Sequence, residues 1–184
     1  MKSSFLKVVV FSWLAILLAA CQPDSSAQLS APSVSDTLKV PSTDTLAFAA
    51  TGKGFQIYEC RANKDNANQY EWVLKAPDAD LFDARGQKIG HHYGGPTWES
   101  SDGSKVTGEV KGSEQSTDAN AIPWLLLRAK THEGQGIFSL VNSIQRLETR
   151  GGKAPSGGCD QSAMGKELRA PYTAVYYFYV RPGE

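Results

Sequence analysis

Apolar and polar positions along this chain fall into short alternating runs. Gly54-Phe55-Gln56-Ile57-Tyr58-Glu59-Cys60 changes face at every residue. A pleated strand therefore puts Phe55, Ile57 and Glu59 on one side and Gln56, Tyr58 and Cys60 on the other. Val106, Gly108 and Val110 alternate with Lys105, Thr107 and Glu109 in the same way. Residues 70–74, 141–147 and 174–180 are rich in aromatic and branched side chains, which suit a pleated surface. Trp124-Leu125-Leu126-Leu127 is a continuous apolar run after Pro123, short enough for a buried strand. Thr97-Trp98-Glu99-Ser100, a turn at Ser101-Asp102-Gly103-Ser104 and the run from Lys105 read as a hairpin. Gly, Pro, Asp and Ser fill the spaces between runs. Only residues 161–168 could form a helix, and Gly165 weakens it. Seven or more short strands without a long amphipathic helix predict an all-β fold. The expectation is a sandwich or barrel-like domain of short antiparallel strands over residues 45–184, with at most one short helix.

The first 44 residues follow another pattern. Lys2 and Lys7 precede the apolar stretch Val8-Val9-Val10-Phe11-Ser12-Trp13-Leu14-Ala15-Ile16-Leu17-Leu18. That stretch is shorter than the ~20 apolar residues a spanning helix needs. With Ala19 and Ala20 after it, residues 1–20 read as a signal peptide. Leu18-Ala19-Ala20-Cys21 resembles a bacterial lipobox. The resemblance implies cleavage before Cys21 and acylation of that cysteine, with the lipid bilayer as the first partner of the mature chain. Gln22, rather than Asp, beside the lipidated residue points to the outer membrane. Residues 21–44 are rich in Ser, Pro, Ala, Asp and Thr and read as a flexible tether. A tether of this length reaches roughly 25–28 Å. Val40-Pro41 and Leu46-Ala47-Phe48 are the places where folded structure is expected to begin.

Composition narrows the function classes. Lys plus Arg and Asp plus Glu number 19 each, and removing Lys2 and Lys7 leaves the chain at about −2. No concentrated basic surface for nucleic acid follows from such a balance. Once Cys21 carries lipid, Cys60 and Cys159 remain as an even pair in an oxidising compartment, where a disulfide is expected. Two free buried thiols are the alternative, and a metal site is disfavoured because neither cysteine belongs to a CxxC pair.

Catalytic and cofactor motifs are sparse. There is no phosphate loop, and Gly134-Gln135-Gly136 lacks the third glycine and βαβ setting of a dinucleotide site. His132-Glu133 begins like a zinc-protease motif, but Gly136 occupies the second histidine position. Ala154-Pro155-Ser156-Gly157-Gly158 fits a plain turn better than a nucleophile elbow. No cofactor or metal is therefore expected. The densest polar cluster is His91-His92-Tyr93-Gly94-Gly95-Pro96-Thr97-Trp98-Glu99 with Asp102. Neighbouring histidines on a strand face opposite sides, so His91 and His92 are not expected to be joint ligands. One of them, with Glu99, Asp102 or His132, could hold a metal or serve as a general acid–base. The bland alternative is one packed and one solvated histidine. Gly94-Gly95-Pro96 reads as a turn or bulge and could also clear space for a ligand over Trp98. His91, His92, Tyr93, Trp98, Glu99 and Asp102 form the candidate ligand or catalytic cluster.

Further along, His92-Tyr93-Gly94-Gly95-Pro96-Thr97-Trp98, Asp102-Gly103-Ser104, Ile122-Pro123-Trp124-Leu125-Leu126-Leu127 and Ile144-Gln145-Arg146 recur in one recognisable order. Gly151-Gly152-Lys153-Ala154-Pro155 with Cys159, Tyr172-Thr173-Ala174 and Tyr177-Phe178-Tyr179 complete it. Together they resemble domain of unknown function family 3455, a secreted bacterial and fungal family, from about Gly54 to Tyr179. The resemblance implies an extracytoplasmic β-rich domain with Cys60 paired to Cys159, and implies no activity. The leading expectation is a non-enzymatic envelope module that binds a small ligand, a glycan or an envelope protein. The rivals are a hydrolase or metal-dependent enzyme using His91 or His92 with Asp102 or Glu99, and a structural envelope-assembly protein.

Overall fold

The computed structural model describes residues 29–183. The signal peptide, Cys21 and the first part of the expected tether lie outside the described residues. Eight strands run in chain order: β1 (Thr45–Ala62), β2 (Tyr70–Phe82), β3 (Lys88–Tyr93), β4 (Thr97–Ser100), β5 (Lys105–Glu114), β6 (Trp124–Glu133), β7 (Val141–Gly151) and β8 (Glu167–Val180). Each pairs antiparallel with the next, and β8 returns to pair with β1, so the sheet closes into a barrel. Of the two expected architectures, the barrel is the one formed. Closure gives every strand two neighbours, although residues 70–77 of β2 and 109–114 of β5 run past the short β3–β4 hairpin and pair on one side only. The expected helix at 161–168 is only one 3-10 turn, Gln161–Ala163, after which β8 begins at Glu167. The turn is capped by Asp160, which accepts from Ser162 N and Ala163 N.

Alternation decides what fills the barrel. Gln56, Tyr58 and Cys60 are buried, as are Ala79 and Leu81 of β2, His92 of β3, Trp98 of β4, Val106 of β5 and Tyr176 and Phe178 of β8. Large rings sit against glycines: a Cβ on Gly108 would lie 3.0 Å from Trp98 Cζ3, and one on Gly52 would lie 2.6 Å from Tyr176 Cε2. These pairings of large with small let the aromatic rings occupy a lumen only eight strands wide. Outward positions carry Lys53, Asp78, Asp80, His91 and Arg169. A transmembrane barrel needs an apolar outer band, so its polarity is reversed here.

The two ends differ. At one end, the β6–β7 loop turns Phe138 inward, 5.1 Å from Phe178 and 5.8 Å from Phe48, where it is fully buried. Asp102 and Ser104 of the β4–β5 turn hold that loop. Ile137 N donates to Asp102 Oδ2 at 2.9 Å, Phe138 N to Ser104 Oγ at 3.1 Å, and Ser104 Oγ to Asp102 Oδ1 at 2.6 Å. The Ser104 hydroxyl, helped by the Ile137 and Ser104 amides, holds the Asp102 carboxyl down to about 2. At the other end β1 and β2 run on to Ala62 and Tyr70, while β3 and β4 stop at Tyr93 and Thr97. The wall is therefore low over the Gly94-Gly95-Pro96 turn.

A second packed layer covers part of the outside. The 3-10 turn Asp36–Leu38 buries Leu38 against Leu126 and Leu147, with Val34, Val40, Trp124 and Tyr177 around it. Gln145 Nε2 donates to Leu38 O at 2.7 Å. Leu125, Leu127 and Ala129 pack into the lumen while Leu126 packs under this strap, which explains the unbroken apolar run of β6. Residues 34–44, expected to belong to the tether, are thus laid on the barrel. Three large apolar side chains, Val34, Leu38 and Val40, are enough to dock this segment when a matching apolar face is waiting.

Candidate functional site

The β3–β4 hairpin pairs His92 with Trp98, His91 with Glu99 and Tyr93 with Thr97. His92 and Trp98 therefore share the inner face. Their rings stack 4.5 Å apart with 14° between planes, and the edge of Tyr176 meets His92 at 5.1 Å. His92 Nδ1 lies 2.8 Å from Thr97 O, so the neutral ring donates there and keeps its lone pair on Nε2. Burial pushes the His92 imidazole down to about 3, against the opposing pull of the Thr97 carbonyl, and the nearby Arg146 charge lowers it further. His92 is uncharged at any physiological pH.

Side chains from all eight strands line a lumen of about 280 Å³ beneath the low wall. Gln56, Ala76 and Pro77 come from β1 and β2, His92 and Trp98 from β3 and β4, Val110 and Leu127 from β5 and β6, and Arg146 and Tyr176 from β7 and β8. Gly94, Gly95 and Pro96 form the lip, with Leu74 and Val110 exposed beside it. Gly95 holds φ +130°, and a Cβ there would lie 2.6 Å from Thr97 Oγ1, so this tight turn needs glycine. The volume lies at the small end of ligand sites, which run from roughly 300 Å³ upward.

The polar groups in this wall are few. Gln56 Nε2 and Trp98 Nε1 are buried with no hydrogen-bond partner among the described residues. A third such donor, Trp124 Nε1, lies outside the lumen beside the strap. Arg146 donates through Nε and Nη2 to Pro123 O at 3.2 and 2.8 Å. Among the described residues no carboxylate comes within ion-pair distance of Arg146, and no Asp or Glu lines the lumen. Tyr172 and Tyr176 hydroxyls lie 3.1 Å apart deeper in the wall, and burial raises both phenols.

The remaining members of the sequence-derived cluster stand elsewhere. His91 is on the outer face, with Nδ1 3.2 Å from Asp80 and Nε2 3.2 Å from Asp78. Those carboxylates are already engaged by Lys88 and Arg169 at 2.7 and 2.5 Å. Tyr93 Oη donates to Glu99 Oε2 at 2.6 Å, also outside, with Lys105 3.8 Å from the same carboxylate. Asp102 is at the plugged end. Neither histidine is brought to Glu99 or Asp102, so the acid–base pairs considered from sequence are not assembled. Cross-strand pairing puts His91 opposite Glu99, but each side chain bonds laterally instead. His132 is spent on Val141 O, at 2.7 Å. Among the described residues no three His, Cys, Asp or Glu side chains converge on a point that could hold a metal ion.

Gln56, Lys75, Arg146 and Tyr176 are the polar lining side chains that the cluster did not include. The signal for Gln56 was present: a polar residue on the same side as Tyr58 and Cys60 is an amide turned toward the core. Arg146 gave no comparable signal: it shares the inner face with Ile144, but the apolar Leu147 beside it belongs to the outer layer under the strap, so apolar residues mark both faces of β7.

A closed eight-stranded antiparallel meander with a lined cavity at one end defines a small β-barrel. The chain belongs to the family described as Protein of unknown function (DUF3455), whose model matches residues 41–180. Neither the curated proteins nor the solved structures contain a match to it. Within the family span, Cys60 and Cys159 are joined as a disulfide, with Cα atoms 5.4 Å apart.

Proposed function

We propose that the chain is an envelope-anchored binding module whose barrel lumen takes up one small ligand. The carrying observation is a lumen with an aromatic floor and two buried donors without a partner among the described residues, Gln56 Nε2 and Trp98 Nε1. Each unpaired buried donor destabilises by roughly 1–3 kcal/mol, which an acceptor on an entering ligand recovers. Trp98, His92 and Tyr176 pack against one another as the aromatic floor beneath the guest. The low lip at Gly94-Gly95-Pro96 gives an entry path, and the apolar rim of Leu74 and Val110 favours a partly apolar guest.

The test is a thermal-shift and tryptophan-fluorescence screen of small organic compounds against the soluble domain, beside Val110→Trp. Val110 is exposed, so the larger ring occludes the mouth without entering the core. Saturable ligands that raise the melting temperature of the wild type and not of Val110→Trp are the expected result. Ligands that act equally on both, or no ligand at all, would refute binding in the lumen.

The anchoring half of the reading rests on Leu18-Ala19-Ala20-Cys21. Two or more acyl chains hold a protein to a bilayer where one chain does so only marginally. The Cys21→Ser chain is expected to lose lipid labelling and leave the membrane fraction. Unchanged fractionation and labelling of that variant would count against the anchor.

A further inference from the structure

We infer that the lumen selects a small organic anion, a flat carboxylate whose acid group meets Arg146, Gln56 and Trp98 while its body lies on the aromatic floor. This rests on the lumen being a binding site, as proposed above, and adds the charge and shape of the ligand. Charge is the first argument. Arg146 lies in the wall with no acidic partner among the described residues, and its guanidinium meets only neutral groups, the Pro123 carbonyl and the Tyr176 hydroxyl. Lys75, also on the lining, is already paired with Glu167, which leaves Arg146 as the charge to be met. The positive field of Arg146 reaches His92, Tyr58 and Tyr176. A guanidinium in such surroundings favours a carboxylate, which can accept two of its N–H groups at once.

Donor count is the second argument. Gln56 and Trp98 line the lumen, are each only 1% exposed, and each holds a buried N–H with no partner among the described residues. An indole can only donate. An ammonium ligand would suit the π faces, but it would meet Arg146 as a like charge and leave the indole N–H unanswered. Shape is the third argument. The cavity beside His92–Trp98 and the low lip, at about 280 Å³, has room for one ring with a short chain.

The test uses three compounds with one body: cinnamate, cinnamyl alcohol and cinnamylamine. Each is titrated by calorimetry into the wild-type domain, Arg146→Met and Gln56→Leu, with melting curves of all three proteins. The acid is expected to bind the wild type about tenfold or more tighter than the alcohol, with the amine weakest. Arg146→Met should bring the acid-to-alcohol ratio near one, and Gln56→Leu should reduce it by about fivefold. Gln56→Leu keeps the size and makes no bond to Pro123, so it reads the donor even where Arg146→Met folds poorly. Alcohol or amine binding as tight as the acid would overturn the anion inference and leave the binding reading standing. No binding of any of the three at millimolar concentration, with the fold intact, would overturn both.

Discussion

Replacing Cys60 and Cys159 together by Ala lowers the stability of the barrel by about 2–5 kcal/mol and its melting temperature by roughly 10 °C. The bond joins residues 99 apart in sequence, so it removes a large loop from the unfolded ensemble. The chain-entropy model puts the ceiling for such a loop near 4.7 kcal/mol. The native side of the balance is also built around it. Cys60 is fully buried at the end of the alternating run, Cys60 N donates to Lys166 O at 3.0 Å, and Gly165 N donates to Cys60 O at 2.9 Å. The disulfide thus fastens the long loop between β7 and β8 to the tallest strand, beside the mouth. Urea and thermal unfolding of the exported double variant, against the wild type with and without reductant, provide the measurement. A double variant as stable as the oxidised wild type would show that the loop is held by its hydrogen bonds alone.

Asp44→Ala is expected to cost about 2–3 kcal/mol, because it strips charge-assisted hydrogen bonds from two part-buried arginines. The Asp44 side chain has no exposed surface. Arg128 Nη1 donates to it at 2.9 Å, Ser143 Oγ at 2.6 Å, Asn142 Nδ2 at 3.1 Å and Arg181 Nε at 3.3 Å. It therefore ties the strap to β6, β7 and the C-terminal residues at one point. Burial pushes its carboxyl up, but the Ser143 hydroxyl, the Arg128 charge, Thr43 and Asn142 outweigh this and hold it below the ordinary 3.8. A depressed carboxyl contributes stability that is complete above its unfolded value and disappears as pH falls through its folded value. The stability difference between wild type and Asp44→Asn should accordingly be constant near neutrality and shrink below about pH 4. Denaturant melts of both proteins from pH 7 to pH 2 check this. A gap that persists undiminished at pH 2 would assign the effect to lost packing rather than to the ionised carboxylate.

Several features were legible along the chain because they depend on neighbours in sequence. The period-2 runs announced strands, the Asp102-Gly103 turn announced a hairpin, and the opposite facing of His91 and His92 follows from the pleat. The placement of Gly94-Gly95-Pro96 over Trp98 was legible too, since the hairpin brings them together locally. The candidate site was legible only in part. His92 and Trp98 line the lumen, whereas His91, Tyr93 and Glu99 face outward and Asp102 braces the plug at the other end. Counting polar residues within a dozen positions cannot tell inside from outside, nor one end of a barrel from the other.

The sequence by itself determined an all-β domain, the alternation that turns Gln56, Tyr58 and Cys60 inward, and the cysteine pair left for a disulfide. Those are consequences of side-chain periodicity and residue type. Only the tertiary structure decided that the sheet closes on itself, because β1 meets β8 across more than a hundred residues. Closure then decided the rest. It set Arg146 of β7 facing the same space as Gln56 of β1 and Trp98 of β4, and it gave residues 34–44 an outer face to cover. It also made a cavity out of strands whose inward residues, read singly, looked like ordinary core.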